Sequence, residues 1–598
     1  MTAGPDARRD LVAEAAPVKP GLPARLGLYF HTVRHLQVSQ IAWQLKRRLW
    51  PPRPPVTGPA VHWRAGVRCA PFLPAPEALA AVGQIAFVGQ TRPFALERPD
   101  WVQSDAPKLW RYNLHYFDYL GWPTLADECK AALINDWSAR VRVGAEDAWE
   151  PYPISLRVVN WLKYALALPP GSVPAEWVAS LAHQVAALEG DLEYHLLANH
   201  LLKNGKALVF AGVCLKGPAA ERWLAQGLEI TVAAAAEQIL PDGGHLERSP
   251  MYHCIVLEDF LDVVNLLVAN PERVTSEVLV TLRDAAIRAT GFLRAICTGA
   301  DDIPLFNDAA FGITQPVREL LAYADRVLVG AASAAIGNLI AAEAAPTAAT
   351  PIPVAAEAAP TGARIFLPHT GYYGYRHGGD SLIIDGGPVG PDYQPGHTHC
   401  DTLSYELHVG GVPIVVDSGT FDYEPGAFRH YLRSTAAHNT VRIDGQEQSE
   451  IWGAFRVARR ARPRAVTLGE WDAGRLRFAG EHDGYERLPG RPVHRREVVM
   501  ETGRWTVRDS VTGAGRHRVE SFLHLHPAVG CKQLTDREFR LTAPGGVVLC
   551  LKFGPEGKLR LASGYYCPKF GERLACGALV LEHTAALPVE FTYGFERL

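Results

Sequence analysis

The sequence predicts an α+β protein of several domains, helical in its first half and antiparallel β in its second. Three observations carry this reading. From about residue 105 to residue 343, segments such as "ISLRVVNWLKYALAL" and "EVLVTLRDAAIRATGFLRAIC" repeat apolar residues at i, i+3, i+4 and i+7. From about residue 364 onward, "SLIIDGG", "LSYELHVGGVPIVVDSG" and "RREVVMETGRWTVRDSV" alternate or are β-branched and end near Gly or Asp, as strands do. Between the two lies an Ala- and Pro-dominated stretch, "AAEAAPTAATPIPVAAEAAPTGA", of which residues 346–363 read as an inter-domain linker.

Taken in order, residues 1–60 form an N-terminal arm. Its segment "LGLYFHTVRHLQVSQIAWQLKRRLW" is amphipathic at helical spacing with a basic end, and "PPRPPVTGP" stops it. Such a helix either lies on a membrane or packs as an arm on the main domain; the clustering of charge at its C-terminal end, where it complements the helix dipole, favours the arm. Residues 61–345 form the helical domain, whose successive antiparallel helices make a bundle, a solenoid or a closed α/α toroid. Residues 364–598 form the β domain, read as a two-sheet antiparallel sandwich.

Bulk numbers bound the function. A chain of 598 residues is too long for one core. A content of 48% hydrophobic and 21% charged residues fits a soluble globular protein. The net charge of -3 speaks against wholesale attraction to nucleic acid, although a local basic cleft could still meet a polyanion. Ten scattered cysteines without a CxxC pair argue against a disulfide framework or a zinc ribbon and for a reducing compartment. The N-terminus lacks the apolar stretch of a signal peptide and no apolar run is long enough to span a bilayer, so no transmembrane segment is expected and the location reads as cytoplasmic, with export by another route as the alternative.

Chemistry concentrates in a few stretches. In "GHTHCDTLSYELHVGGVPIVVDSG", His397 and His399 would share one face of a strand, about 7 Å apart along the chain. Asp417 closes the apolar run and His438 opens "HNTVRID"; two imidazoles and a carboxylate form a set suited to one divalent ion, zinc or manganese, in the sandwich, with satisfied core or turn residues as the alternative. In "LEYHLLANHLLKNGKAL", Asn199 stands four residues after His195 and beside His200, so a polar brace or a site sits on one helix face. "PDGGHLERSPMYH" gathers Glu247, Arg248 and Tyr252 around a Gly-rich turn. Aromatic residues crowd "RYNLHYFDYLGW" and "AWEPYPISLRVVNW"; Tyr116, His115 and Trp149 are candidate sugar-binding residues, with core packing as the alternative for each.

Together, "YNLHYFDYL", "NHLLKNGKAL", "DGGHLERSPMYH", "GHTHCDTLSYEL", "VVDSGT" and "RSTAAHNTV" resemble the heparinase II/III family of polysaccharide lyases, in the family's order and from about Leu26 to the C-terminus. The resemblance implies an (α/α) toroid followed by an antiparallel β-sandwich, with the cleft between them. It implies Tyr252 as catalytic tyrosine, Asn199 and His200 on the uronate carboxylate, His397 in the catalytic cleft, and His399, Asp417 and His438 as metal ligands. The substrate it implies is an anionic polysaccharide with 4-linked uronates: hyaluronan, chondroitin, heparan sulfate or alginate.

The residue types suit β-elimination. Removing the proton at C5 requires the neighbouring carboxylate to be neutralised or hydrogen-bonded, which Asn199 and His200 can do. A tyrosine is barely ionised near neutrality, so Tyr252 needs helpful neighbours to act as a base, and His397 would be the base opposite it where the two reacting groups lie on opposite ring faces. Two rivals remain: a non-catalytic glycan-binding or exopolysaccharide-biosynthesis accessory protein of the same fold, and a glycoside hydrolase using Asp242 and Glu247.

Overall fold

The computed structural model describes residues 9–15, 21–81, 83–298, 302–339, 363–472 and 475–598. The linker expected at 346–363 lies, save for its last residue, outside the described residues.

Amphipathic hairpins build the first lobe, an (α/α) toroid. Helices Pro151–Ala167, Ala175–Glu189, Ala198–Cys214, Pro218–Gln238, Pro250–Ala269, Ser276–Ile296 and Val317–Leu339 follow one another, each packed on neighbours in the chain. Helices 198–214 and 218–238 approach most closely because glycines line the contact: a Cβ at Gly227 would stand 2.7 Å from the Val209 nitrogen, and one at Gly212 2.5 Å from the Leu224 Cβ. At the other end of helix 198–214, Gln238 donates to the Ala198 carbonyl at 3.0 Å and so seats the turn that carries Asn199 and His200. Trp110, Trp137, Trp161 and Trp223 are fully buried in the same core. Each such side chain contributes about 2–3 kcal/mol through burial alone.

The second lobe is a sandwich. An eight-stranded antiparallel sheet packs against two five-stranded sheets, which a bridge between Val415 and Leu525 joins edge to edge. Strands Val493–Glu501 and Arg504–Thr512 bury every second residue, as the alternating sequence predicts, and Val498, Met500, Trp505 and Val507 meet Leu382, Tyr405 and Leu407 in the core.

The arm departs from expectation. The single helix read over 26–50 is two helices, Leu22–Val33 and Val38–Leu49, because Gln37 breaks the run and caps the second through a reciprocal pair with Gln40. Ahead of them, Arg9–Asp10 adds a parallel strand to Lys558–Tyr566 of the β lobe, and Leu11 is fully buried there. The arm therefore belongs to both lobes. No described helix is both long and apolar enough to cross a membrane.

Candidate active site

The turn that carries Tyr252 is shaped by residues few side chains could replace. Gly243 has φ +88 and a Cβ there would collide with the Arg288 carbonyl at 2.1 Å, so only glycine fits. Asp242 accepts from the His369 and Thr370 backbone amides and from the Thr370 hydroxyl, pinning the turn to the β lobe. Ser249 caps helix Pro250–Ala269 by accepting from the Tyr252 amide, while its own hydroxyl donates to the Asp308 carbonyl at 2.5 Å. Tyr252 thus stands in the first helical turn, facing the β lobe.

His397 and His399 come from a loop, not from the strand the sequence suggested, since the strand begins only at Tyr405. They still converge, because both rings meet one carboxylate: Asp308 Oδ2 lies 2.9 Å from His397 Nδ1 and Asp308 Oδ1 lies 2.9 Å from His399 Nε2. Arg429 grips the same carboxylate through both terminal nitrogens. Burial would raise the Asp308 pKa, but Arg429 and the two histidines carry it well below the usual carboxylate range.

The Tyr252 and His397 rings stack at 3.9 Å between centroids, 28° from parallel, and the Tyr252 hydroxyl lies 3.2 Å from that of Tyr423. Burial, reinforced by Tyr423, pushes the Tyr252 phenol well above its ordinary pKa, so it keeps its proton. On the other edge, His397 Nε2 lies 3.5 Å from Glu247 Oε2, and Glu247 Oε1 accepts from the Asn199 side-chain amide at 2.8 Å. Burial opposes ionisation of Glu247, yet His397, His245 and Asn199 leave its pKa lowered. At the rim, His200 Nδ1 lies 3.0 Å from Glu193 Oε1 and its ring packs on Tyr152. Burial would lower the His200 pKa; Glu193 outweighs it and raises the net value.

Behind His397, residues His399, Asp401 and His438 each offer a ligand atom within 4.8 Å of the others. His399 Nδ1, Asp401 Oδ1 and His438 Nε2 are all buried and lack a hydrogen-bond partner, which suits a set that could hold one divalent cation. Asp417 lies beside this trio rather than in it: its Oδ2 meets His438 Nδ1 at 2.7 Å and its Oδ1 accepts from the Gly419 amide, while Asp401 supplies the carboxylate of the trio.

Several sequence candidates lie elsewhere. His115 is buried in the aromatic core, where its Nδ1 accepts from the Trp137 indole and burial lowers its pKa to about 3. Trp149 packs on Trp137 and His183 beneath the Pro52–Pro54 segment, lining a cavity of about 270 Å³ away from Tyr252. Arg248, at φ +56, spends its guanidinium on the Thr370, Leu246 and His369 carbonyls, bracing the lobes. Tyr116 is buried but its ring reaches Tyr152, one step from His200. His195 precedes helix 198–214, separated from it by Leu197 at φ 65, so it shares no helix face with Asn199. Asp242, engaged three times by the β lobe, is not free to pair with Glu247 as a hydrolase would need. Five residues escaped the sequence reading: Glu193, Asp308, Asp401, Tyr423 and Arg429. Asp401 lay inside a motif already singled out, and the Asn-Asp pair in "PLFNDAAFG" was a faint signal for Asp308.

Residues 128–325 match the heparinase II/III N-terminus and residues 359–592 the heparinase II/III-like C-terminal region, so the chain belongs to the heparinase II/III family. Heparin-sulfate lyases of Bacteroides thetaiotaomicron and Pedobacter heparinus are 24% and 25% identical over 344 and 333 residues, 54% and 52% of this chain. The matched part spans about half of those relatives, 46% and 47%. Among solved structures, a heparinase III superposes with a TM-score of 0.62 at 16% identity, over 85% of this chain and 81% of the other. The heparan sulfate lyase of Pedobacter heparinus gives 0.56 at 18%, over 86% and 81%. These likenesses establish the toroid-and-sandwich fold.

Proposed function

We propose that the protein is a polysaccharide lyase that cleaves a 4-linked uronate polymer of the glycosaminoglycan class by β-elimination. The observation that carries the reading is the stack of Tyr252 on His397 with Asp308 behind it. Asp308 takes the Nδ1 proton of His397 into a hydrogen bond, which leaves the Nε2 lone pair for the substrate. His397 then accepts the C5 proton, the C5–H electrons form the C4–C5 double bond, and the C4–O4 bond breaks. Tyr252, whose burial keeps it protonated, gives its phenolic proton to the departing O4. His397 afterwards returns its proton to the tyrosinate.

Rings 3.9 Å apart leave no room for a sugar between them, so both groups would approach from one side. This favours substrates whose H5 and O4 share a ring face over those with opposed faces, the case for which the sequence set His397 opposite Tyr252. His200, cationic beside Glu193, would meet the uronate carboxylate, and the Asn199 amide would add a hydrogen bond. His399, Asp401 and His438 would hold one divalent cation, zinc or manganese, with Asp417 orienting His438. When bound, such an ion supplies fixed positive charge that holds the His399 segment, and with it the His397 loop, in place.

The test is a panel of hyaluronan, chondroitin, heparan sulfate and alginate assayed for an ultraviolet-absorbing unsaturated uronate. Elimination gives that product; hydrolysis gives a saturated end and a binder gives neither. Wild-type rates from Tyr252→Phe would refute the assignment.

A further inference from the structure

The arm presents its apolar side to solvent. In most surface helices the apolar stripe faces the core. Here helix Leu22–Val33 has no buried residue, and Leu22, Leu26, Phe30 and Val33, one face at helical spacing, are all exposed. Helix Val38–Leu49 repeats this with Val38, Ile41, Leu45 and Leu49, followed by Trp50 at 71% exposure. Half of the large exposed apolar side chains among the described residues fall between 22 and 56. The helices are held by their other sides: Trp43 stacks on Tyr194 at 5.1 Å, Arg47 pairs with Asp191, and Trp452 donates to the Thr32 hydroxyl at 3.1 Å.

Charge accompanies the stripe. No Asp or Glu occurs between Glu14 and Glu77, a stretch holding nine Lys and Arg. Arg25, Lys46, Arg48 and Arg53 are exposed, and among the described residues no carboxylate pairs with them. A solvent-facing apolar stripe flanked by cations without carboxylate partners matches the interface of an anionic bilayer, where apolar side chains enter the headgroup boundary and cations meet lipid phosphates. An anionic polymer would satisfy the cations and leave the stripe wet.

We propose that the helical pair 22–49 docks the protein on an anionic lipid surface. The inference is independent of the proposed chemistry, since none of these residues belongs to the Tyr252 site. Because Trp43 and Arg47 seat the pair against residues 191–194, next to His200, docking would hold the cleft close to the membrane.

The full chain is sedimented with vesicles of phosphatidylcholine alone or mixed with phosphatidylglycerol. Binding to the mixed vesicles alone is expected, weakening as salt is raised. A variant with Leu26→Ser, Phe30→Ser, Leu45→Ser and Leu49→Ser should stay in the supernatant, and Lys46→Gln with Arg48→Gln should bind about thirtyfold more weakly. Circular dichroism and melting of both variants should match wild type, since the altered side chains face solvent. Wild type remaining unbound to the mixed vesicles, or the serine variant sedimenting with them as wild type does, would overturn the proposal. So would ultracentrifugation revealing a wild-type dimer that the serine changes dissociate.

Discussion

Tyr252 and Tyr423 meet hydroxyl to hydroxyl at 3.2 Å, one at the start of a toroid helix and the other on a loop of the β lobe. The contact aims the phenol that would protonate the leaving oxygen. Removing a neutral hydrogen bond costs about 0.5–1.5 kcal/mol, so Tyr423→Phe should lower kcat roughly 2–12-fold with little change in KM. Tyr252→Phe should lower it by about 10²–10⁴. Steady-state rates of unsaturated product formation check both. Equal losses would make Tyr423 itself the acid and the present assignment wrong.

Asp308 gathers His397, His399 and Arg429 on one carboxylate, while its backbone carbonyl accepts from the Ser249 cap. Asp308→Asn leaves Arg429 a buried charge without its counter-ion. Breaking such a pair typically costs about 3–5 kcal/mol, read as a lower denaturation midpoint. Activity should fall by more than about a hundredfold even at temperatures where the variant is folded, because the His397 tautomer is no longer set. A variant of wild-type stability would mean the Arg429 pair is dispensable.

Periodicity made the fold legible: the change from a helical to an alternating pattern marked the two lobes, as the burial of Val493–Glu501 and Arg504–Thr512 bears out. The arm packs on the main body, yet its apolar period is the same whether the stripe faces a core or solvent, and only coordinates tell which. The site was legible where motifs are local, as with His397 and His399. It was not where chain segments meet from afar, since Asp308 reaches Arg429 across 121 positions. Aromatic richness misplaced His115, because a ring that packs in a core and one that binds a sugar share a composition.

Metal binding should depend on Asp401 more than on Asp417. Orphaned atoms of His399, Asp401 and His438 converge, whereas Asp417 is already bonded to His438. In titration calorimetry of chelator-treated protein with zinc or manganese, His438→Ala should abolish binding. Asp417→Asn should weaken it by about 10–100-fold, the usual cost of losing a carboxylate behind a ligating histidine. Asp401→Asn should weaken it further. The reverse order would return Asp417 to the ligand set that the sequence suggested.

The pH dependence of substrate affinity should follow His200. Its pKa is raised by Glu193 against the opposing effect of burial, so its positive charge is present below the ordinary histidine value and is lost as pH rises through the raised one. Glu193 has a lowered pKa despite burial, so its charge, and the stability it brings, is lost only as pH falls through that lowered value. The ion pair is therefore complete between the two, and above the His200 value the uronate carboxylate loses its cation. KM for an anionic polymer should rise on the alkaline side while kcat changes less. His200→Gln should show the high KM already at neutral pH and remove that alkaline rise. Persistence of the same alkaline rise in His200→Gln would assign the titration to another group and remove His200 from the carboxylate site.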